Sequence, residues 1–233
     1  VAVDKDRCHG ITELCKPSVE PPVEVVLLDD AYQHRYVKPG INILLMDYHR
    51  LIYFDRLLPV GRLREPASGK NRADIVIVTK CPTYITPMDM RGIERSLHLQ
   101  PWQKLFFSTL QYPDRLDDVG EDPLLVMGIA SPRQMEYDLK KRIPKFEIMT
   151  FPDHHAYSRR DIERIRRRAD GRTILTTEKD ATRLAGLPVR VIPIEVAFMG
   201  NNKQEEFNQI ILDYVRKNKR NSSIPERQDA HTA

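Results

Sequence analysis

Two adjacent acids, Asp29 and Asp30, are the residues of this chain best equipped for chemistry, and they follow the apolar run Val23–Leu28. An amide, an imidazole and a guanidinium come directly after them, at Gln33, His34 and Arg35. Paired carboxylates at the end of a buried strand are what a nucleotide-dependent enzyme uses to hold Mg²⁺. Either acid could instead only cap the following turn. The run therefore predicts metal ligands at Asp29 and Asp30, with phosphoryl transfer as the chemistry.

Arginine and glutamate stand together in a second cluster, within residues 56–66. Arg64, like Arg35, carries the planar guanidinium that binds phosphate oxygens in pairs. Glu65 lies in a loop stiffened by proline and glycine, which suits a carboxylate acting on the water shell of a metal. The alternative for Glu65 is a surface ion pair, which contributes little to stability.

Histidines follow a predicted strand in a third cluster, Asp153-His154-His155. Such a run could bind a transition metal, but no other histidine or cysteine has the spacing to complete a zinc site. Acid–base or substrate-orienting work therefore fits His154 better. Lys179 and the amides around it stand at a helix start and could receive an anion. The same run is also explained by helix capping alone.

A phosphate-binding glycine loop of the form Gly-x-x-x-x-Gly-Lys-Ser/Thr does not occur in the sequence. The nearest approach is Gly61 followed by Gly69-Lys70-Asn71, which has the wrong spacing and no hydroxyl. The first residue is Val1 rather than methionine. We therefore expect the chain to be a piece of a longer protein whose phosphate loop lies ahead of Val1.

The elements that position these clusters alternate between short apolar runs and segments of helical period, which predicts an α/β fold with a parallel sheet. Few runs alternate strictly between apolar and polar, as expected of strands buried on both faces. The predicted strands are Val23–Leu28, Ile41–Met46, Ile75–Val78, Lys104–Ser108, Leu124–Ile129, Phe146–Thr150, Thr173–Thr176 and Val189–Ile194. Helices are predicted after the capping residues Thr86, Ser131, Ser158 and Thr177, and over residues 203–216.

The stretch Leu110–Asp122 is rich in proline, aspartate and glycine and predicts a domain boundary. A nucleotide-binding lobe is expected over residues 1–110, and a second, smaller α/β lobe over residues 111–216. Residues 217–233 are polar without apolar periodicity, which predicts a disordered tail.

Composition narrows the classes of protein that fit. The chain has 233 residues, 41% of them hydrophobic, which is typical of a folded domain. A net charge of +4 is too small to indicate a nucleic-acid partner but allows anionic substrates or an anionic membrane surface. Three cysteines without a Cys-x-x-Cys pair favour a reducing compartment. The longest apolar run, Leu124–Ala130, is too short to span a bilayer.

Seven motifs in order resemble the tetraacyldisaccharide 4'-kinases, the lipid A kinases of Gram-negative bacteria. They are Asp29-Asp30-Ala31-Tyr32-Gln33-His34-Arg35, Leu57-Leu58-Pro59 with Gly61, Leu63-Arg64-Glu65-Pro66, Arg72-Ala73-Asp74, Gly128-Ile129-Ala130-Ser131-Pro132, Phe151-Pro152-Asp153-His154-His155 and Thr176-Thr177-Glu178-Lys179-Asp180. The first usually has Gly and Phe where this chain has Ala31 and Tyr32, so every polar group is kept. The resemblance covers about residues 1–194.

The resemblance implies a phosphate-loop kinase fold of two α/β lobes with a cleft between them, and it implies ATP and Mg²⁺. The substrate would be a tetraacylated glucosamine disaccharide 1-phosphate, phosphorylated on its 4'-hydroxyl to give lipid IVA at the cytoplasmic face of the inner membrane. Asp29 and Asp30 would lie near the metal, and Gln33 and His34 would line the same site. Arg64, Glu65 and Arg7 would lie by the phosphates, and His154 would partner the family's catalytic aspartate. Because the phosphate loop and that aspartate are not in the sequence, we expect this chain to be inactive alone.

Two rival interpretations stay open at this stage. Another phosphate-loop NTPase, such as a small-molecule kinase, would share the paired acids, but the Leu-Arg-Glu-Pro and Asp-His-His motifs argue against it. A non-catalytic module could bind an anionic ligand through its arginines. Nucleic acid is the least fitting such ligand, since the basic residues are interleaved with acids and few aromatics accompany them.

Overall fold

A computed structural model describes residues 1–113, 116, 119–128, 132–153 and 155–221, with only the backbone for 132–134 and 219–221. The chain forms two compact units. The first comprises Val1–Ser108 and the segment that begins at Phe198, and the second is Thr109–Ala197. Each contains a four-stranded sheet, so the predicted α/β class is confirmed.

The sheet of the first unit has the strand order β1-β2-β3-β8, with β1 parallel to β2 and β2 parallel to β3. Its strands are β1 (Ile43–Asp47), β2 (Ile75–Thr79), β3 (Lys104–Gln111) and β8 (Glu195–Phe198). The last two run across the boundaries at which the chain leaves and re-enters this unit. Its α-helices are α1 (Arg7–Leu14), α2 (Pro87–Leu97) and α6 (Lys203–Asn221), and two 3-10 helices cover Tyr48–Arg50 and Ala67–Arg72.

Both faces of β2 are covered, which explains its continuous apolar run. Val76 and Val78 pack on one face against Ile93 and Leu97 of α2. On the other face, Ile75 and Ile77 pack against α6 through its side chains Phe207, Ile210 and Ile211. Helix α2 begins where the sequence predicts, because Thr86 and Asp89 cap each other's backbone amides and proline occupies the first turn.

Helix α6 departs from the predicted domain division, which placed it in the second lobe. Its apolar side chains cover the sheet of the first unit, so it belongs there. The helix also continues to Asn221, so residues 217–221 of the predicted tail are helical. The remainder of that predicted tail, residues 222–233, lies outside the described residues.

The second unit has an all-parallel sheet with the order β5-β4-β6-β7. Its strands are β4 (Leu124–Met127), β5 (Glu147–Thr150), β6 (Ile174–Thr176) and β7 (Val189–Val191). Its helices are α3 (Pro132–Leu139), α4 (Arg159–Ala169) and α5 (Glu178–Ala181). Helix α4 begins with the predicted capping box of Ser158 and Asp161, and it buries Ile165 and Ala169.

One predicted strand is wrong. The run Val23–Leu28 belongs to no strand, and Val25 and Leu27 are 51% and 90% exposed. Apolar residues form a buried strand only where a neighbouring strand supplies hydrogen bonds, and among the described residues none pairs with this run. Conversely, α1 and β8 were not predicted. Helix α1 buries no residue, and so it has no apolar period to detect.

In the part of the chain that the structure describes, no helix is both long and apolar enough to cross a bilayer.

Candidate functional site

Tyr32 and Arg72 fix the loop after Asp30 to the segment before β2. The Tyr32 hydroxyl donates to the Gly69 carbonyl at 2.9 Å, and Arg72 Nη2 donates to the Tyr32 carbonyl at 3.3 Å. The Arg72 guanidinium carbon also lies 4.8 Å from the centre of the Tyr32 ring, a cation–π contact. Burial raises the pKa of Tyr32, which therefore stays a neutral donor. The loop of the first predicted cluster is thus joined to the segment that follows the second.

Glu65 lies between two arginines within this junction. Arg72 Nη2 is 2.7 Å from Glu65 Oε1, and Arg35 Nη2 is 3.3 Å from Oε2. The hydrogen bond from Arg72 is the main cause of a lowered Glu65 pKa, and Arg35 adds to it. A side chain at Gly69 would place its Cβ 2.8 Å from the Glu65 carboxyl carbon, so the Glu65 carboxylate would have to shift from its present position. The structure therefore brings together Arg35 and Glu65, which come from different motifs.

Asp29 and Asp30 are exposed in a turn, and the described residues give neither side chain a hydrogen bond or ion pair. Asp30 has a φ of 45°, in the left-handed region that aspartate adopts more readily than most residues other than glycine. Both carboxylates are accessible, although the strand predicted before them is missing.

His34 and Arg64 also carry polar atoms without a partner among the residues described. His34 Nδ1 is buried without a hydrogen bond, and its ring packs edge to face on Tyr36 at 5.5 Å. Arg64 is exposed, as is Gln33. A buried ring nitrogen without a partner is costly, so it suggests that a ligand atom completes the site.

Arg7 begins helix α1, whose next residue touches the same loop. The Cys8 thiol lies 3.6 Å from the Tyr36 carbonyl, as expected of a weak S–H donor. Arg7 itself is half-buried and makes no hydrogen bond or ion pair within the described part of the chain. The structure thus brings the start of α1 to the loop that carries Arg35.

The carboxylates of Asp29, Asp30 and Glu65 differ in how well they suit Mg²⁺. Mg²⁺ keeps several waters and takes one or two carboxylates, a requirement that Asp29 and Asp30 fit. Both oxygens of Glu65 are bonded to arginines, so it does not fit as a direct ligand in this arrangement. Among the described residues no group of three or more histidine, cysteine, aspartate or glutamate side chains is placed to hold a metal.

A pair that sequence reasoning missed lies at the carboxyl ends of β1 and β2. Lys80 Nζ is 2.7 Å from Asp47 Oδ2, and Lys80 has a φ of 57°. Burial acts to raise the pKa of Asp47, but the hydrogen bonds from Lys80 and the His49 amide outweigh it and lower that pKa. Ligands of open α/β sheets bind at this edge. The sequence holds one signal for this pair, because Asp47 and Lys80 each stand at the end of an apolar run.

In the second unit, Lys179 Nζ lies 2.8 Å from Asp153 Oδ1, and both side chains are partly exposed. Lys179 is the residue that could receive an anion, and its partner Asp153 immediately precedes His154. His154 itself lies outside the described residues. On its other side, His155 Nε2 is 3.1 Å from Asp161 Oδ2, and the imidazole stacks on Phe151 at 4.9 Å.

Asp180 is a fully buried carboxylate that sequence reasoning took only for part of a capping box. Its Oδ2 accepts the Gly128 amide at 2.8 Å and the Thr177 hydroxyl at 3.1 Å. A Cβ at Gly128 would lie 3.0 Å from both Asp180 Oδ1 and the Tyr157 hydroxyl. Burial and the neighbouring Asp180 raise the pKa of Tyr157. The carboxyl ends of β4 and β6 are therefore tied together around one glycine.

Comparison with known proteins places this arrangement in context. A sequence profile of the family described as tetraacyldisaccharide-1-P 4'-kinase matches residues 1–216. A protein of Phocaeicola vulgatus named tetraacyldisaccharide 4'-kinase is 50% identical over 96% of this chain and 68% of its own length. Proteins of the same name from Bacteroides fragilis and Flavobacterium johnsoniae are 50% and 41% identical, over 99% and 94% of this chain and 69% and 66% of their own lengths.

Proposed function

We propose what this chain does on the basis of its family, since it belongs to the tetraacyldisaccharide-1-P 4'-kinases. It serves in the transfer of a phosphoryl group from ATP to the 4'-hydroxyl of tetraacyldisaccharide 1-phosphate. The product would be lipid IVA, an intermediate of lipid A. The observation that carries the proposal is the family match over residues 1–216, at 50% identity to proteins of that name.

Asp29 and Asp30 are the residues proposed to hold Mg²⁺, whose charge, when bound, neutralises the phosphate oxygens. Their exposure and lack of other partners among the described residues support this role. His34, with its unpaired buried nitrogen, and Gln33 line the same turn and are proposed to orient the reacting groups.

The arginines are proposed to bind phosphate. Arg35 is held through Glu65, which is held in turn by Arg72, so this guanidinium is positioned before a ligand arrives. Arg64 is exposed beside Glu65, and Arg7 lies next to the Cys8–Tyr36 contact. Preorganised donors of this kind stabilise charge that develops in the transition state.

His154 is proposed to partner the catalytic aspartate, by resemblance to the family. We propose that Lys179 positions Asp153, the residue before His154, through their 2.8 Å contact. Lys179 would contact nucleotide only if that ion pair opens. The place of work is proposed to be the cytoplasmic face of the inner membrane, with the lipid precursor as partner and no nucleic acid.

The test is a phosphoryl-transfer assay on the protein expressed from its complete coding sequence, with radiolabelled ATP and tetraacyldisaccharide 1-phosphate separated by thin-layer chromatography. We expect a labelled lipid that depends on Mg²⁺ and is lost in Asp29→Asn. We expect residues 1–233 by themselves to be inactive, because their sequence contains no glycine-rich phosphate loop. Labelling by residues 1–233 alone would contradict that part of the proposal.

A further inference from the structure

An exposed apolar loop, residues 54–63, lies immediately before Arg64 and Glu65. Phe54, Leu58 and Val60 are 81%, 61% and 76% exposed, and Leu57 is exposed as well. Single exposed apolar side chains are ordinary, but neighbouring ones on one loop mark an interaction site. The proposed phosphate and metal ligands do not include any of these side chains.

Several backbone amides of this loop are hydrogen-bonded within the loop. The amides of Leu58, Gly61 and Leu63 donate to the carbonyls of Leu63, Leu57 and Arg56, at 3.0, 2.9 and 2.9 Å. The side chain of Asp55 accepts the amides of Arg56 and Arg62, at 2.8 and 3.0 Å. Pro59 has no amide to satisfy. Each of these bonds removes an unpaired amide that would otherwise oppose entry into an apolar medium.

The tight turn of this loop depends on a glycine. A Cβ at Gly61 would lie 2.1 Å from the Arg56 carbonyl oxygen, so any other residue would open the turn. The apolar tip is therefore held in one shape before any partner binds, which lowers the entropy cost of binding.

Basic residues flank the tip along the chain. Arg56, Arg62 and Arg64 are exposed, and within the described residues none of them forms an ion pair. An apolar tip flanked by cations without ion pairs is complementary to a surface with anionic groups above hydrocarbon. A protein partner with only an apolar patch would leave these charges without a counterpart.

We propose that residues 54–63 dock on an anionic lipid bilayer, with Leu58 and Val60 entering the boundary between headgroups and acyl chains. The proposal rests on the proposed function, since a lipid substrate gives a reason for a kinase to visit a bilayer. Docking by this loop would hold Arg64 and Glu65 at the level of the lipid phosphates, because they follow the loop directly in the chain.

The experiment is vesicle flotation of the complete protein, with vesicles of phosphatidylethanolamine and phosphatidylglycerol and with neutral phosphatidylcholine vesicles. The test variant is Leu58→Ser/Val60→Ser. The matched control is Met88→Ser/Trp102→Ser, which removes two equally exposed apolar side chains elsewhere in the first unit. We expect the test variant to bind anionic vesicles about tenfold or more weakly, and the control to bind like wild type.

Arg56→Glu/Arg62→Glu should lose the preference for anionic vesicles, and added salt should weaken wild-type binding in the same way.

Flotation needs no catalysis, so it separates this proposal from the kinase proposal. Each variant is also assayed for kinase activity on detergent-dispersed substrate, where docking on a bilayer is not required, and we expect Leu58→Ser/Val60→Ser to keep wild-type activity there. Unchanged flotation of that variant would overturn the proposal. So would a loss of its activity in detergent, which would assign the loop to the acyl chains of the substrate, or a change in its oligomeric state by sedimentation, which would assign the loop to a second copy.

Discussion

Arg72 and Glu65 form a 2.7 Å ion pair that joins two sequence motifs into one site. The same arginine contacts the backbone and ring of Tyr32, and the same glutamate contacts Arg35. Arg72 therefore acts through other residues and holds the loop of Asp29 and Asp30 in register with Arg64 and Glu65. It is a positioning residue by this geometry, since both hydrogen bonds of its Nη2 are made to Tyr32 and Glu65.

Replacement of Arg72 by methionine should lower stability and activity together. At about pH 7 we expect a loss of about 1 kcal/mol in the free energy of unfolding, since the pair is largely shielded from solvent. The pKa of Glu65 is lowered in the folded state, so its contribution is complete above the unfolded pKa and is lost as pH falls through the folded pKa. Urea unfolding of both proteins at about pH 7 and about pH 3 should show the difference shrinking in acid.

Lys140→Met serves as the control for that measurement. It breaks an exposed pair with Glu136 of the same 2.7 Å length, one helical turn away, and should change stability by less than about 0.5 kcal/mol. Equal effects of the two substitutions would mean that Arg72 has no special role in holding the junction.

Asp30 allows charge and backbone to be tested separately. Its left-handed φ of 45° costs an alanine about 1 kcal/mol but is tolerated by asparagine and glycine. We expect Asp30→Ala to lower both stability and activity. Asp30→Asn and Asp30→Gly should keep stability and lose phosphoryl transfer by about 100-fold or more, because the carboxylate proposed to hold Mg²⁺ is gone. Thermal unfolding and the transfer assay read out the two effects, and full activity of Asp30→Asn would remove Asp30 from the metal site.

Gly128 and Gly92 should respond oppositely to alanine. At Gly128 the new methyl group would meet Asp180 Oδ1 and the Tyr157 hydroxyl at 3.0 Å, so we expect a loss of about 2 kcal/mol. At Gly92, inside α2, nothing lies within 4 Å, and alanine should add about 0.5–1 kcal/mol. Urea unfolding measures both. If Gly128→Ala were neutral, the buried contacts of Asp180 would be able to relax without cost.

Asp161 should titrate with a pKa of about 2, because the Ser158 hydroxyl, the Ser158 amide and His155 all hydrogen-bond its carboxylate. Its stabilising contribution is therefore complete above the unfolded pKa and is lost only as pH falls through about 2. We expect Ser158→Ala to raise this pKa toward its ordinary value, whereas Ser158→Thr keeps the hydroxyl and the low pKa. Carbon-detected NMR titration of the Asp161 carboxyl group measures this pKa. A pKa at the ordinary value of aspartate in the wild-type protein would contradict the capping geometry.

Most of the fold could be predicted because the signals are local. Capping boxes at Thr86 and Ser158 and the apolar run of β2 are readable within a few residues. Val23–Leu28 has the same apolar character as β2, but its state depends on a neighbouring strand, which no local pattern reveals. The residues of the candidate site also divide into those that the local sequence predicts and those whose role depends on distant contacts. Arg35 and Glu65 stood out by type, whereas Arg72 and Asp180 act through contacts to residues far along the chain, seen only in three dimensions.

The position of α6 has a consequence for how the protein is made on the ribosome. All strands of the second unit's sheet lie within residues 109–197, so that sheet can form as soon as this stretch has emerged from the ribosome. The sheet of the first unit receives β8 and then Phe207, Ile210 and Ile211 only afterwards. Until then Ile75, Ile77 and Phe106 lack their cover, and we expect the earlier-synthesised unit to be the later one to mature and the one that recruits chaperones.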